Sequence, residues 1–376
     1  MSEPGKCRKR RKTVPELALK PKTFPGPVAQ TVWFSNATAG LIASLEAVGA
    51  KNKWVAVPPN VCPNVIAAVF GARCRPWFVD IEPERQGIDP ERLSEVIGQV
   101  GAVIAIHAYG TPCRIEGITN IAGQAGVPVI EDCAQADGAS VADQEVGTFG
   151  DIAVFSFGKG KIVEAGGGGL AILRNQRWSP PMEALIAHWE HSSDSAAGDD
   201  LGNAYRFFYN QFYPGRTELA RESFFAMVNA LAPLLRTRCN PERIAELVAA
   251  RSQRESLIIA RRQKYQMYVE QLAGVPHIAS IPLQEGAAPW RFNAMVDAKR
   301  RDAIFRGLLA SDIRASTWYP RITRFLPEQA FRSTDLPVAR HFEQTLLNLW
   351  VDDTTSVQDV ERTCVSLKQE LLRFGS

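Results

Sequence analysis

Residues 127–136 have the sequence VPVIEDCAQA, and residues 150–161 have the sequence GDIAVFSFGKGK. Each segment contains an apolar run that predicts a short buried strand, and each run ends in polar side chains. The first strand leads to Asp132, and the second leads to Ser156 and Lys161. Four consecutive glycines follow at 166–169, a composition typical of a loop. If both strands belong to one parallel sheet, these polar groups meet at its carboxyl edge.

The side chains that follow these strands match the chemical needs of pyridoxal 5'-phosphate. An unprotonated lysine amine forms a Schiff base with the cofactor aldehyde, and Lys161 is the candidate. An acidic group beside the pyridine nitrogen keeps that nitrogen protonated, and Asp132 can supply it. A hydroxyl group close to backbone N–H groups binds phosphate, which fits Ser156. We therefore expect Lys161 and Asp132 to be the catalytic residues.

The remaining sequence of the first half alternates predicted helices with short predicted strands. This alternation is typical of βαβ units in a mainly parallel sheet with helices on both faces. The expected fold class is α/β, with a large cofactor-binding domain and a smaller C-terminal α+β domain. The predicted helices are 38–48, 59–70 (entered through a turn), 89–98 and 115–125, and the predicted strands are 54–57, 77–80, 103–107, 127–131, 152–157 and 170–173.

The second half is less regular and suggests a division into domains. Residues 179–216 lack clear periodicity, and we expect a loop at the active site or a subunit contact there. A long helix is predicted over 241–272, and it connects to strands at 291–296 and 346–351 and helices at 301–311 and 356–374. The predicted domains are an N-terminal arm at 1–28, the large domain at 29–240, and the connecting helix with the small domain at 241–376.

Charge and hydropathy exclude several classes of protein. The formal net charge of the chain is +3, but residues 1–12 carry six lysines and arginines. The formal net charge of the rest of the chain is about −2. We expect that basic, Pro-rich arm to be solvated; an anion or nucleic-acid contact is the alternative. For the body of the protein no nucleic-acid partner is expected. No apolar run approaches the ~20 residues of a membrane span, so no membrane partner is expected.

Cysteine usage points to a reducing compartment. The chain has seven cysteines and no CxxC pair, which supports neither a disulfide framework nor a zinc site. We therefore expect a cytoplasmic protein without a metal. The glycines at 166–169 lack the lysine and hydroxyl residue of a phosphate-binding P-loop and the spacing of a dinucleotide fingerprint, so an ATP or NAD site is disfavoured.

Several further segments resemble one family. The chain is similar to the DegT/DnrJ/EryC1/StrS family, the sugar aminotransferases of the aspartate aminotransferase fold, and the similarity extends over residues 32–374. Besides the two segments quoted above, it is carried by SNATAGL at 35–41, VPPNVCP at 57–63, WFVDIEP at 77–83, IHAYG at 106–110 and WYP at 318–320.

The resemblance implies a role for each matching residue. Lys161 would hold the cofactor as a Schiff base and shuttle a proton, and Asp132 would pair with the pyridine nitrogen. Gln135 would contact the phenolic oxygen of the ring. Thr38, the backbone at Ala37 and the Ser156 hydroxyl would hold the phosphate, while Cys62 would lie against the ring face. Members of this fold build each active site from both subunits, so a homodimer is expected.

Three positions depart from the family pattern. Ala37 replaces a glycine beside the phosphate, and Cys62 replaces a residue that is often aromatic and stacks on the cofactor ring. Gly167 replaces the glutamate of the usual G-E-G-G loop. Two simpler interpretations also stay open: Lys161 as a surface lysine, with Lys159 as a neighbour that is easily confused with it, and Asp132 as a helix cap.

The expected function is transfer of an amino group from glutamate to a keto sugar, possibly one linked to a nucleotide. A different reaction on the same cofactor, such as dehydration of a deoxysugar, is the enzymatic alternative. Related dehydratases lack the lysine, so Lys161 favours transamination. The alternative from another class is a non-catalytic family member with a regulatory or scaffold role, which the changes at Ala37, Cys62 and Gly167 motivate.

Overall fold

The computed structural model describes residues 28–192, 228 and 235–373. Strands in these residues form a ten-stranded sheet, a four-stranded sheet and a two-stranded hairpin. In chain order the strands are β1 (Gln30–Phe34), β2 (Trp54–Val57), β3 (Arg75–Phe78), β4 (Ala102–Ile106), β5 (Val129–Asp132), β6 (Ser140–Val141), β7 (Gln144–Glu145), β8 (Ile152–Ser156), β9 (Gly169–Leu173), β10 (Glu190–His191), β11 (Thr237–Arg238), β12 (Ile278–Ser280), β13 (Arg291–Val296), β14 (Ala315–Ser316), β15 (Arg332–Ser333) and β16 (Leu346–Trp350).

The ten-stranded sheet is mixed but mainly parallel. Its order is β10-β11-β1-β9-β8-β5-β4-β2-β3-β15. The run from β8 to β15 is parallel throughout. β9 is antiparallel to both β8 and β1, so β1 has the same direction as β8. The carboxyl ends of β1, β8, β5, β4 and β2 therefore lie at one edge of the sheet, which the α/β prediction requires.

Helices cover the large sheet and pack into its core. Helix α1 is buried along most of its length, which explains its small and apolar sequence ATAGLIASLEA. Among the described helices, none has the length and apolar composition needed to cross a bilayer. The described helices are α1 (Ala37–Ala47), α2 (Pro63–Gly71), α3 (Pro90–Ser94), α4 (Ile115–Gln124), α5 (Ser179–Ile186), α6 (Pro241–Arg251), α7 (Arg254–Leu272), α8 (Arg301–Ala310), α9 (Pro337–Thr345) and α10 (Val357–Arg373).

The four-stranded sheet belongs to a second, smaller core. Its order is β12-β13-β16-β14, and all of its pairings are antiparallel. Helices α7, α8 and α10 pack on it through Tyr268, Leu308 and Leu367, which are almost fully buried. This unit provides the α+β part of the expected fold class. The exact domain boundaries at 28/29 and 240/241 stay predictions.

Three expectations differ from the structure. β1 was not predicted, and α5 occupies 179–186, where a loop was expected, because the prolines in its first turn are compatible with a helix start. The helix predicted over 241–272 is two helices. The Ser252 hydroxyl donates to the Ala249 carbonyl at the break, a local bond that competes with helix continuation. The arm residues 1–27 and the loop residues 193–216 lie outside the described residues.

Asp80, in the WFVDIEP segment, connects the large sheet to the C-terminal part of the chain. Its two carboxylate oxygens accept the backbone N–H groups of Val338 and Ala339 at 3.0 and 2.9 Å, in the first turn of α9. A carboxylate at this place accepts hydrogen bonds from N–H groups that have no partner within the helix. Its negative charge also interacts favourably with the positive end of the helix dipole. The segment therefore has a structural role that its sequence alone did not show.

Candidate active site

The residues predicted for the cofactor gather at the carboxyl edge of the ten-stranded sheet. Four strands deliver these residues there because they share one direction. The segments that follow these strands contain Ala37 and Thr38 after β1, Cys62 after β2, Asp132 and Gln135 at and after the end of β5, and Ser156 and Lys161 at and after the end of β8. Residues far apart in sequence thus lie at the same edge of the sheet.

The N-terminus of α1 offers backbone N–H groups to an anion. Asn36 caps the helix, and its side-chain oxygen accepts the N–H of Ala39 at 2.9 Å. Ala37 and Thr38 lie in the first turn, where N–H groups have no carbonyl partner within the helix. Together with the helix dipole, these N–H groups are suited to hold a phosphate group. Ala37 takes helical backbone angles, so the alanine fits without the left-handed conformation that only glycine adopts easily.

The glycines at 166–169 allow the loop to press against the start of α1. A Cβ on Gly169 would lie 2.4 Å from the carbonyl carbon of Asn36 and 2.5 Å from the nitrogen of Ala37. Gly167 and Gly168 have φ values of 136° and 111°, which are unfavourable for other residues. The loop therefore fixes the backbone that would hold the phosphate.

A Gly169→Ala variant should damage this contact. The new methyl group can be accommodated only by moving Asn36 and Ala37 away from the loop, because the atoms it meets belong to the backbone. We expect a loss of roughly 1–3 kcal/mol in unfolding free energy and weaker cofactor binding. Urea unfolding and titration with pyridoxal phosphate measure both effects. Gly123→Ala is the matched control, since a Cβ there meets no atom within 4 Å; equal behaviour of the two variants contradicts the assignment.

The carboxylate of Asp132 is only partly satisfied by the protein. One oxygen accepts the N–H of Ala134 at 2.9 Å, and the other accepts no hydrogen bond from a described residue. Burial raises the pKa of Asp132, while the Ala134 N–H and the positive charge of Lys161 oppose the rise. A buried carboxylate of this kind gains from a protonated ring nitrogen as partner. The site therefore fits the pyridine ring of pyridoxal phosphate.

The loop that carries Lys161 is held by residues from the second half of the chain. Arg261 Nη2 donates to the Lys161 carbonyl at 3.1 Å, and Trp290 Nε1 donates to the Gly160 carbonyl at 2.5 Å. Lys161 is half-buried, and its charge acts on Asp132. Lys159 is exposed to solvent. Of the two lysines, Lys161 is the one whose charge acts on the pKa of Asp132.

Gln135 and Ser156 retain hydrogen-bonding capacity for a ligand. The Gln135 side chain accepts the N–H of Tyr109 at 2.8 Å and donates to the Tyr319 hydroxyl at 2.9 Å, so its amide group keeps one further hydrogen to donate. The Ser156 hydroxyl accepts the Gly158 N–H at 3.5 Å, and its own proton has no acceptor among the described residues. Both side chains fit the roles implied by the family resemblance.

Tyr319 closes the site from the C-terminal half, and sequence reasoning gave it no role. Its N–H donates to the Tyr109 hydroxyl at 2.9 Å, and its side chain is buried. Burial raises the pKa of Tyr319, and the Cys62 thiol and Tyr109 add to this, while the positive charge of Arg291 opposes it. Cys62 is the N-cap residue of α2. The WYP segment at 318–320 was the available signal.

His107 and Glu131 form a buried pair beneath the site. Glu131 accepts N–H groups from Gly147, Phe149 and Gly150 at 2.6 to 2.7 Å, and its fourth partner is His107 Nε2 at 3.1 Å. His107 Nδ1 accepts the N–H of Cys113 at 3.2 Å, so the proton shared with Glu131 is on Nε2. Burial raises the pKa of Glu131, but these hydrogen bonds outweigh it and lower the pKa. The pair stabilises the strand ends that carry Asp132.

The model of the DegT/DnrJ/EryC1/StrS aminotransferase family matches residues 5–226 and 244–368, which is most of the chain. The chain belongs to this family. The DegT/DnrJ/EryC1/StrS enzymes are pyridoxal phosphate-dependent aminotransferases, so the expected family, fold class and cofactor type are confirmed. The roles of the individual site residues stay predictions.

Relatives and solved structures agree with this family. The chain is 33% identical over 171 residues to the L-glutamine:2-deoxy-scyllo-inosose aminotransferase of Streptomyces kanamyceticus, a match that covers 45% of this chain and 40% of that protein. The chain thus spans about 40% of the length of this curated relative.

Two solved structures have the same fold over most of their length. One is the aminotransferase TlmJ from Streptoalloteichus hindustanus, with a TM-score of 0.70, 22% identity and coverage of 92% of this chain and 86% of that chain. The other is NtdA from Bacillus subtilis with bound cofactor PMP, with a TM-score of 0.69, 18% identity and coverage of 91% and 73%.

Proposed function

We propose that this DegT/DnrJ/EryC1/StrS family member is an aminotransferase that moves an amino group from glutamate or glutamine to a keto sugar or a similar keto polyol. The observation that carries the proposal is the meeting of Lys161, Asp132, Ser156 and the start of α1 at one edge of the sheet. The family supplies the reaction type, and the S. kanamyceticus relative acts with glutamine on a keto cyclitol by its name.

The side chains divide the work of the reaction. Pyridoxal phosphate, when bound, supplies an electron sink for the carbon that bears the amino group. Asp132 holds a proton on the ring nitrogen through its unpaired carboxylate oxygen. The amine of Lys161 anchors the cofactor and then moves a proton to and from the substrate carbon. The N–H groups of Ala37 and Thr38 and the Ser156 hydroxyl bind the phosphate, and Gln135 orients the ring through its free amide hydrogen.

The acceptor, the partner subunit and the location of the protein belong to the same proposal. We expect a polar carbonyl compound, and a nucleotide-linked keto sugar is one form of it. We expect a homodimer with shared active sites in the cytoplasm. Retention of Lys161 argues against the dehydratase alternative, and the fit of Ala37 into the helix removes one reason to favour a non-catalytic member.

The first test is the half-reaction with the amino donor. Purified protein and pyridoxal phosphate are mixed with glutamate or glutamine, and mass spectrometry follows the corresponding oxo acid and pyridoxamine phosphate. We expect both products in equal amounts, and then renewed turnover when a keto cyclitol or keto sugar is added. Tight cofactor binding without oxo acid from any amino acid tested would favour the non-catalytic alternative.

A further inference from the structure

Asp137 is a buried carboxylate next to the candidate site, and the reaction described above gives it no role. It lies two residues after Gln135 and is 4% exposed. Its two oxygens accept hydrogen bonds from Nε and Nη2 of Arg251 at 3.0 and 2.8 Å, and Nη1 of Arg254 donates to it at 3.3 Å. Arg254 also forms an ion pair with Glu145. One carboxylate in the turn after β5 (residues 133–138) therefore binds two cations.

The two arginines lie on either side of the break between α6 and α7. Arg251 is the last residue of α6, and Arg254 is the first residue of α7. Arg251 is buried, and its guanidinium carbon lies 5.2 Å from the ring centroid of Phe155, which directly precedes Ser156. Loss of one partner from such a buried pair leaves an uncompensated charge, which is strongly unfavourable. Asp137 therefore holds the start of α7 against the turn after β5.

One face of α7 extends this contact to the loop of the reactive lysine. Arg254, Ile258 and Arg261 are spaced by four and three residues, which places them on the same face of the helix. Ile258 packs closely on the turn after β5, since a Cβ on Gly138 would lie 2.6 Å from its Cδ1 atom. Nη2 of Arg261 donates to the Lys161 carbonyl at 3.1 Å. The same helix face thus contacts both segments that carry candidate cofactor ligands.

Helix α7 can transmit a displacement between these two segments. Between Arg254 and Arg261 it contains no proline or glycine, the usual causes of a kink, and it continues unbroken to Leu272. The two arginines are about 10 Å apart along the helix axis. A shift of the start of α7 would therefore displace Arg261 and the Lys161 carbonyl that it binds. The distance between Lys161 and Asp132 would change with it.

We propose that Asp137 is a positioning residue that couples the turn after β5 to the Lys161 loop (residues 158–165) through α7. The turn follows Asp132 and contains Gln135, which are expected to hold the cofactor ring, and the loop carries the amine that is expected to react. Such groups act only when they are placed within about 0.5 Å of the productive geometry. The structural coupling needs no chemistry, whereas its effect on catalysis rests on the proposed aminotransferase function.

Hydrogen–deuterium exchange of the protein without cofactor tests the coupling directly. Asp137→Asn removes the charge that the two arginines share and keeps the size of the side chain. We expect amide exchange to accelerate at least about tenfold in the turn after β5 and also in the Lys161 loop, which forms no hydrogen bond with Asp137 in the described part of the chain. Acceleration confined to the turn and to the α6–α7 break overturns the proposal.

Glu46→Gln is the matched control for the exchange experiment. Glu46 forms a comparable ion pair through both of its oxygens, with Arg236, at the C-terminal end of α1. This variant loses a charge of the same sign from a two-bond arginine pair but has no connection to α7. We expect exchange in the Lys161 loop to stay at the wild-type rate in Glu46→Gln. Equal acceleration of the Lys161 loop in both variants would reflect general destabilisation and overturns the proposal.

Kinetics test the effect of the coupling on catalysis. In the half-reaction with the amino donor we expect Asp137→Asn to lower kcat roughly 10- to 100-fold and to change KM for the donor much less, because the reactive amine is misplaced while the donor still binds. An unchanged kcat overturns the positioning role. If wild type does not turn over, the proposed function fails, and the exchange measurement alone decides the coupling.

A milder variant covers the case in which Asp137→Asn does not fold. Arg254→Gln removes only the outer arginine, which is 20% exposed, and keeps the buried pair of Asp137 and Arg251. It replaces Asp137→Asn in both experiments. The expected changes have the same direction and a smaller size, since one of the two cations still holds the turn. A wild-type exchange rate in the Lys161 loop of Arg254→Gln overturns the proposal.

Discussion

Lys161→Ala should abolish covalent attachment of pyridoxal phosphate and reduce amino transfer by at least ~10⁴-fold, the upper range for loss of a positioned proton-transfer group. Alanine removes both the amine that anchors the cofactor and the base that moves the substrate proton. Lys161 is half-buried and its charge acts on the pKa of Asp132, whereas Lys159 is exposed. Borohydride reduction followed by peptide mass spectrometry locates the attachment site without any need for turnover.

Lys159→Ala is the control for this experiment. It removes a lysine two positions away, from the same loop, and should keep the attachment and most of the activity. Attachment at Lys159, or full activity in Lys161→Ala, would show that the reactive lysine is wrongly assigned. Loss of attachment in both variants would indicate damage to the loop instead, which the midpoint of thermal unfolding reveals.

Asp132→Asn should slow the half-reaction with the donor by roughly 10²- to 10³-fold, a typical cost of removing a preorganised electrostatic group. The amide has nearly the same shape but cannot stabilise a protonated ring nitrogen. Stability should respond in the opposite direction. Because burial raises the pKa of Asp132, the folded protein without cofactor bears the cost of a buried charge at neutral pH, and the neutral amide removes it.

Single-turnover kinetics and thermal unfolding without added cofactor measure these two effects of Asp132→Asn. Asp143→Asn, at the exposed turn between β6 and β7, makes the same chemical change away from the site and should alter neither quantity. If Asp132→Asn reacts at the wild-type rate, Asp132 is only a structural cap for the turn at Ala134. A marked drop in stability with a normal rate leads to the same conclusion.

The sequence predicted the core of the candidate site because parallel strands impose simple geometry. Asp132, Ser156 and Lys161 follow strands that share one direction, so their meeting needed only the α/β pattern. β1 escaped prediction because its place depends on antiparallel pairing with β9, more than a hundred residues later. Local patterns contain no information about such a partner.

The C-terminal contribution to the site was harder to predict for the same reason. Tyr319 meets Gln135 across 184 residues, and Arg291 reaches the Lys161 loop only through the packing of β13 beside it. The sequence marked Arg291 as the start of a strand and 318–320 as a family motif. Neither observation gives the direction of a side chain. These contacts depend on how the four-stranded sheet and its helices pack against the ten-stranded sheet. No local periodicity in the sequence encodes that packing.

The hydrogen bonds from Arg261 and Trp290 to the Lys161 loop have a consequence for the order of events while the chain is synthesised. A nascent chain that ends at residue 240 already contains Lys161, Asp132, Ser156 and Gln135, yet it lacks both donors that fix the carbonyl groups of residues 160 and 161. Translation must proceed about fifty residues further before the loop gains them. We therefore expect productive capture of the vitamin-derived cofactor to come late in the maturation of this chain.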